Sequence, residues 1–101
     1  MTVNAAFTAQ TADGVSSGYA VGASGQAKIQ VDGESVMDGA RIEIEECSEN
    51  DADKYSFSGG EDAILSQPGT RTLVAPEGYF VRVRQAGSRG NTSVNVTITT
   101  V

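Results

Sequence analysis

Val94-Asn95-Val96-Thr97-Ile98-Thr99 is the stretch on which the fold turns. In an extended backbone successive side chains point to opposite faces, so Val94, Val96 and Ile98 share one face and Asn95, Thr97 and Thr99 the other. On a helix the same three apolar residues would scatter around the axis and define no stripe. The run therefore predicts a strand with one buried and one wet face. β-branched residues, which suit a pleated surface, make up most of it.

The same two-residue period recurs along the chain. Ala27, Ile29 and Val31 alternate with Lys28 and Gln30, Ile42 and Ile44 with Arg41, Glu43 and Glu45, and Val81 and Val83 with Arg82 and Arg84. A weaker alternation runs through Val3, Ala5, Phe7 and Ala9, and shorter candidates lie at 18–21, 55–57 and 70–74. Between these runs stand Asp13-Gly14, Asp32-Gly33, Asp38-Gly39, Gly59-Gly60, Pro68-Gly69, Glu77-Gly78 and Arg89-Gly90-Asn91. Such steps supply the positive φ and fixed bends that tight turns need. Only residues 60–66 could form a helical turn. The expected architecture is all-β: a single small antiparallel β-sandwich, Greek-key or jelly-roll-like, of seven or eight short strands over residues 1–101.

The chain has 101 residues, enough for one domain with one core. Its net charge of −6 is unevenly placed. Residues 1–66 hold 12 acidic and 3 basic side chains, whereas residues 67–101 hold Glu77 against Arg71, Arg82, Arg84 and Arg89. That polarity allows pairing between strands of one chain, or a head-to-tail meeting of two copies. An acidic chain is a poor match for a phosphate backbone, so nucleic acid is not an expected partner. No apolar run approaches the ~20 residues that span a bilayer, so no membrane role is expected. A lone cysteine, Cys47, cannot build a disulfide framework, and residues 1–5 carry no basic, apolar leader. The expected folding compartment is a reducing cytoplasm.

Chemistry finds little purchase. There is no His, which removes the commonest general base and the usual Ser-His-Asp and Cys-His arrangements. Cys47 has no second cysteine to pair with and reads as an inert thiol. No Gly-Lys-Ser/Thr ending marks a phosphate loop. The loop at 46–54 is dense in carboxylates, and Glu49, Asp51 and Asp53 are its candidate calcium ligands; the helical calcium-loop pattern is absent, so a solvated loop without cofactor is the default expectation. Arg82 and Arg84 lie on one strand face beside Phe80, where they could bind an anion or pair with Glu43 and Glu45 on a neighbouring strand.

Taken in order, the Asp13-Gly14 turn, the Gly18-Tyr19-Ala20-Val21 step, the strands at 26–31 and 40–45, Tyr79-Phe80-Val81-Arg82-Val83-Arg84 and the Val-x-Val-Thr-Ile-Thr ending resemble small tailed-bacteriophage virion proteins. The likeness is to the capsid-decoration and head-fibre-base kind. It implies a non-enzymatic structural protein on the capsid surface, often a homotrimer, that binds assembled major capsid protein. The contacts expected for such a role are Thr2, Val3, Asn4, Phe7, Phe80, Arg82, Arg84, Val96 and Ile98, with both end strands free to add to a partner sheet. The competing expectation is a carbohydrate- or ligand-binding β-sandwich of a fibre or adhesin, using Tyr19, Tyr55, Tyr79 and the acidic loop. The three Tyr, with no Trp, make a thin stacking platform.

Overall fold

Burial along Gln26–Val31 runs exposed, buried, exposed, buried without a break, with Ala27, Ile29 and Val31 sealed from water. Val94–Thr100 repeats the pattern, burying Val94, Val96, Ile98 and Thr100. Two such half-apolar surfaces can satisfy themselves only by facing each other. The computed structural model describes residues 2–101, apart from the side chain of Glu61.

The strands are β1 (Thr2–Gln10), β2 (Gly14–Val15), β3 (Tyr19–Ala20), β4 (Gln26–Val31), β5 (Arg41–Cys47), β6 (Ser56–Phe57), β7 (Ile64–Leu65), β8 (Gly69–Val74), β9 (Phe80–Ala86) and β10 (Val94–Thr100). One sheet runs β1-β10-β4-β8. The other runs β2-β9-β5-β6, with β3 also on β9 and β7 also on β5, and every strand pair is antiparallel. The chain is thus all-β and broadly a sandwich.

Ten strands stand where seven or eight were expected, because two are interrupted. Between β2 and β3 the chain leaves the ladder at Ser16, whose hydroxyl accepts from Val83 N at 3.0 Å while its own N–H donates to Val83 O at 2.9 Å. A side chain takes over one backbone hydrogen bond, and the strand breaks in two. β6 and β7 are separated by a 3₁₀ turn at Glu61–Ala63, inside the one window where the sequence allowed a helical turn.

Between the sheets lie Ile29, Ile42, Ile44, Leu65, Val81, Val83 and Ile98, each less than 2 % exposed. Gln85 holds an inward position of the same period; its Nε2 donates to Gln10 O and Ser88 Oγ.

Two expectations are corrected here. β10 lies between β1 and β4, so both its edges are used and it is no free end strand. Phe7, Val96 and Ile98 are core side chains at 6 %, 0 % and 0 % exposure and cannot touch a partner of the folded chain. Val96 and Ile98 lie on the apolar face that alternation predicts to be buried, whereas Phe7 is parted from the exposed Val3 and Ala5 by the register shift between Ala5 and Phe7. Of the remaining residues in β1, Thr2 and Val3 are exposed, and Asn4 is half-buried with its amide donating to Ile98 O at 3.2 Å.

Full burial of an Ile side chain contributes about 1.5–3 kcal/mol, and its truncation also leaves a cavity. Ile98→Ala is therefore expected to destabilise the fold by about 2–5 kcal/mol. Val3→Ala, on an exposed part of β1, should cost under about 0.5 kcal/mol. Urea unfolding followed by circular dichroism measures both; equal losses would contradict this account of the core.

Candidate functional site

The outward faces of β5 and β9 carry the charged residues that the inward period leaves over. Their register sets Glu43 opposite Arg84 and Glu45 opposite Arg82. Glu45 takes both arginines: Arg82 Nε donates to Oε1 at 2.7 Å and Arg84 Nε to Oε2 at 2.9 Å. One is the directly opposite residue, the other its diagonal neighbour, and both distances suit cross-strand pairing. Glu43 accepts instead from Arg41 Nε at 3.1 Å. The strand-to-strand pairing of the acidic and basic runs, one of the two readings of the sequence, is thus present within the chain.

The pair is not a surface salt bridge. Glu45 is 7 % exposed and Arg82 6 %, although both point away from the core. A cover explains this. The loop after β5 folds back so that the Tyr55 ring lies over the Arg82 guanidinium, 4.2 Å from its carbon to the ring centroid, a cation–π contact. Tyr55 Oη donates to Asn50 Oδ1 at 2.8 Å, which pins the ring. From the other side the β2–β3 link closes in at Gly18, where a Cβ would collide with Tyr55 Oη and Asn50 Oδ1. Any larger residue there would have to push Tyr55 and Asn50 out of place, a constraint set by the approach of a ring distant in sequence.

Val15, Ser16, Ser17, Gly18, Asn50, Ala52, Tyr55 and Arg82 line an open cleft of about 350 Å³ between link and loop. Burial alone would push the Glu45 carboxyl up, but the hydrogen bonds from Arg84 and Arg82 outweigh it and hold the group below its ordinary value. Burial, with the nearby Cys47 and Glu45, pushes the Tyr55 phenol up despite Arg82. Glu45 is thus a fixed carboxylate acceptor and Tyr55 a neutral phenol; neither is poised to exchange a proton near neutrality.

The other residues singled out from the sequence are dispersed. Phe80 is half-buried at the start of β9, opposite the buried Cys47. Tyr19 and Tyr79 pack against the core and do not join Tyr55 in a platform. The candidate calcium ligands Glu49, Asp51 and Asp53 are engaged within their own loop. Lys54 Nζ sits 2.6 Å from Glu49 and 3.8 Å from Asp51, so the loop supplies its own cation. Asp51 Oδ1 accepts from Asp53 N at 3.0 Å, and no three potential ligands converge among the described residues. Sequence reasoning missed Asn50, Tyr55 as a cover for Arg82, and Gly18. Only the Gly18 position carried a signal, as a glycine beside two serines outside any clear turn.

No family model, no curated protein and no solved structure matches this chain. The viral, bacteriophage and capsid terms drawn from the sequence likeness are corrected accordingly: nothing found ties the protein to a virion, and that attribution is withdrawn. No helix among the described residues is long and apolar enough to cross a membrane.

Removing one partner of a buried ion pair leaves an uncompensated charge, at a cost of about 3–5 kcal/mol. Glu45→Gln is expected to lose that much in denaturant unfolding at neutral pH. The pH dependence has a definite sign. Because the folded pKa of Glu45 lies below the ordinary 4.5, its contribution is complete above that value and disappears as pH falls through the folded pKa. Melting curves from pH 7 to about pH 2 should show an acid-side decline that is smaller in Glu45→Gln; parallel declines would refute the assignment.

Proposed function

We propose that the chain is a non-catalytic β-sandwich module of jelly-roll topology that works by accepting a strand of a protein partner at the edge of β8. The topology rests on strand order. Counting β2 with β3 and β6 with β7 as single broken strands gives eight, ordered 1-8-3-6 in one sheet and 2-7-4-5 in the other. That is the order of two interleaved Greek keys, the arrangement of jelly rolls. Fold alone says nothing of function.

The observation that carries the functional reading is the state of the four sheet edges. The edge at β1 is broken by register shifts around Phe7, and Tyr19 Oη lies 3.5 Å from Ala5 O on that strand. The edges of the other sheet are two-residue pieces. β8 alone is long and regular, paired to β4 without a shift from Gln26↔Val74 to Val31↔Gly69. A long edge without bulges is what β-strand addition uses. The absence of catalysis is supported by the Glu45 carboxylate, held by two guanidiniums, and by a phenol raised in pKa.

A second reading, ligand binding, is favoured by the Tyr55 cleft, where a buried guanidinium lies under an aromatic ring. Titration with acetate and with simple sugars, followed by tyrosine fluorescence, tests it.

The strand-acceptor reading is tested with a synthetic peptide of residues 67–76, labelled and titrated with the chain. Saturable binding is expected, with no binding by the same peptide N-methylated at Thr72. Absence of saturation up to millimolar chain, or equal binding of the methylated peptide, would remove the reading.

A further inference from the structure

Ala75 N donates to Gly25 O at 3.0 Å, one step beyond the Gln26↔Val74 pair. In an antiparallel ladder, hydrogen-bonded and non-hydrogen-bonded pairs alternate. Leu73, Arg71 and Gly69 therefore bond to β4, while Thr70, Thr72 and Val74 turn their N–H and C=O groups to the open edge. Thr70 O confirms the direction: it accepts from the side chain of Arg71 at 3.1 Å rather than from β4. The prolines at 68 and 76 fall on the same parity. Lacking an N–H, each ends the run of outward donors. The edge thus offers three outward residues, bracketed symmetrically about Thr72.

We infer that the strand received at this edge is β8 of a second copy of the chain, antiparallel, with a two-fold axis at Thr72. This deepens the strand-acceptor reading and rests on it. The register sets Thr72 opposite Thr72, Thr70 opposite Val74, and Pro68 opposite Pro76. It is the one antiparallel register in which every outward residue of both copies exchanges its N–H···O bonds, the Thr70 carbonyl trading its Arg71 contact for the partner's N–H. The side chains agree with it. Thr70, Thr72 and Val74 lie on the outer side, where Lys28 of β4 stands opposite Thr72 and where Val74 is 74 % exposed and would gain a threonine neighbour. On the other side Arg71 of one copy stands opposite Leu73 of the other, not opposite its twin. Leu73 borders a slot shared with Ile44, Ala63 and Asp62, so the incoming Arg71 comes to a slot that carries one carboxylate. A closed two-fold pairing consumes both edges and leaves none to propagate. The result is one continuous eight-stranded sheet from two four-stranded ones.

Sedimentation equilibrium over a micromolar-to-millimolar series tests the inference. The mass is expected to rise with concentration toward twice that of the chain and no further. Thr72→Pro removes an N–H that has no acceptor within the chain, so it should keep the native circular dichroism and stay monomeric. Thr72→Lys and Thr72→Glu place like charges on the axis. Each alone should weaken the dimer at least tenfold, and their equimolar mixture should restore it. These two decide the matter if the proline variant does not fold. A chain monomeric throughout, a larger closed oligomer, dimerisation undiminished in the variants, or no rescue on mixing would overturn the inference. If the chain stays monomeric but binds the 67–76 peptide, the second copy is wrong and the strand-acceptor reading stands. If it does neither, both fall.

Discussion

The layer between the sheets is one set of interlocking side chains, and each strand reaches it only at every second residue. That constraint fixes the rest. Ile42 and Ile44 must point in, so Glu43 and Glu45 must point out, and the same holds for Val81 and Val83 against Arg82 and Arg84. A one-residue slip in β5 or β9 would bury the charges and expose the core. Once both strands are locked, the acidic and basic runs meet across a ladder rung without any further requirement on either.

Meeting is not the same as burial, and the Glu45–Arg82 pair owes its burial to a second layer laid over the outside of that sheet. The covering loop carries Glu49 and Asp51, which engage Lys54, and Asn50, which holds Tyr55 over Arg82. A guanidinium suits this place because its flat face stacks while its Nε remains available to a carboxylate. Leaving Glu45 charged in such surroundings is tolerable only because two donors answer it. The arrangement ties loop, link and sheet together, so the cleft beside Tyr55 has walls drawn from three separate segments.

Much of this was legible in the sequence wherever side-chain period carries the information. The strands at 26–31, 81–84 and 94–99, and the outward side of Glu43, Glu45, Arg82 and Arg84, follow from alternation alone; that β5 and β9 are neighbours comes from the structure. Alternation already marks Val96 and Ile98 as core, and the expectation of contacts there came from the family likeness; Phe7 is turned inward by a register shift that no period announces. Nor does alternation reveal order within a sheet. β10 reads as an end strand because it ends the sequence, yet it lies at the centre of its sheet. Tyr55 over Arg82 was illegible for another reason: the contact joins residues 27 positions apart through an irregular loop, whose path follows no period.

The contrast between β1 and β8 shows how one sheet treats its two borders differently. β1 is longer, at nine residues to six. Yet its ladder with β10 is twice displaced, Ala9 adopts φ of +47°, and the Ala9 N–H is answered by the Asn95 side chain. Bulges and local side-chain bonds of this kind twist an edge and discourage additional strands. β8 has no bulge within its length, and its one local side-chain bond runs from Arg71 to Thr70 O. Its only charged side chain, Arg71, sits on the inner parity and bonds Thr70 O at the edge, a contact that an arriving strand would have to exchange. The prolines beyond its ends do not close the edge; they set its length. A border left regular over a limited span, on a sheet whose opposite border is disrupted, restricts pairing to one place and one extent. That restriction separates controlled assembly from open-ended aggregation.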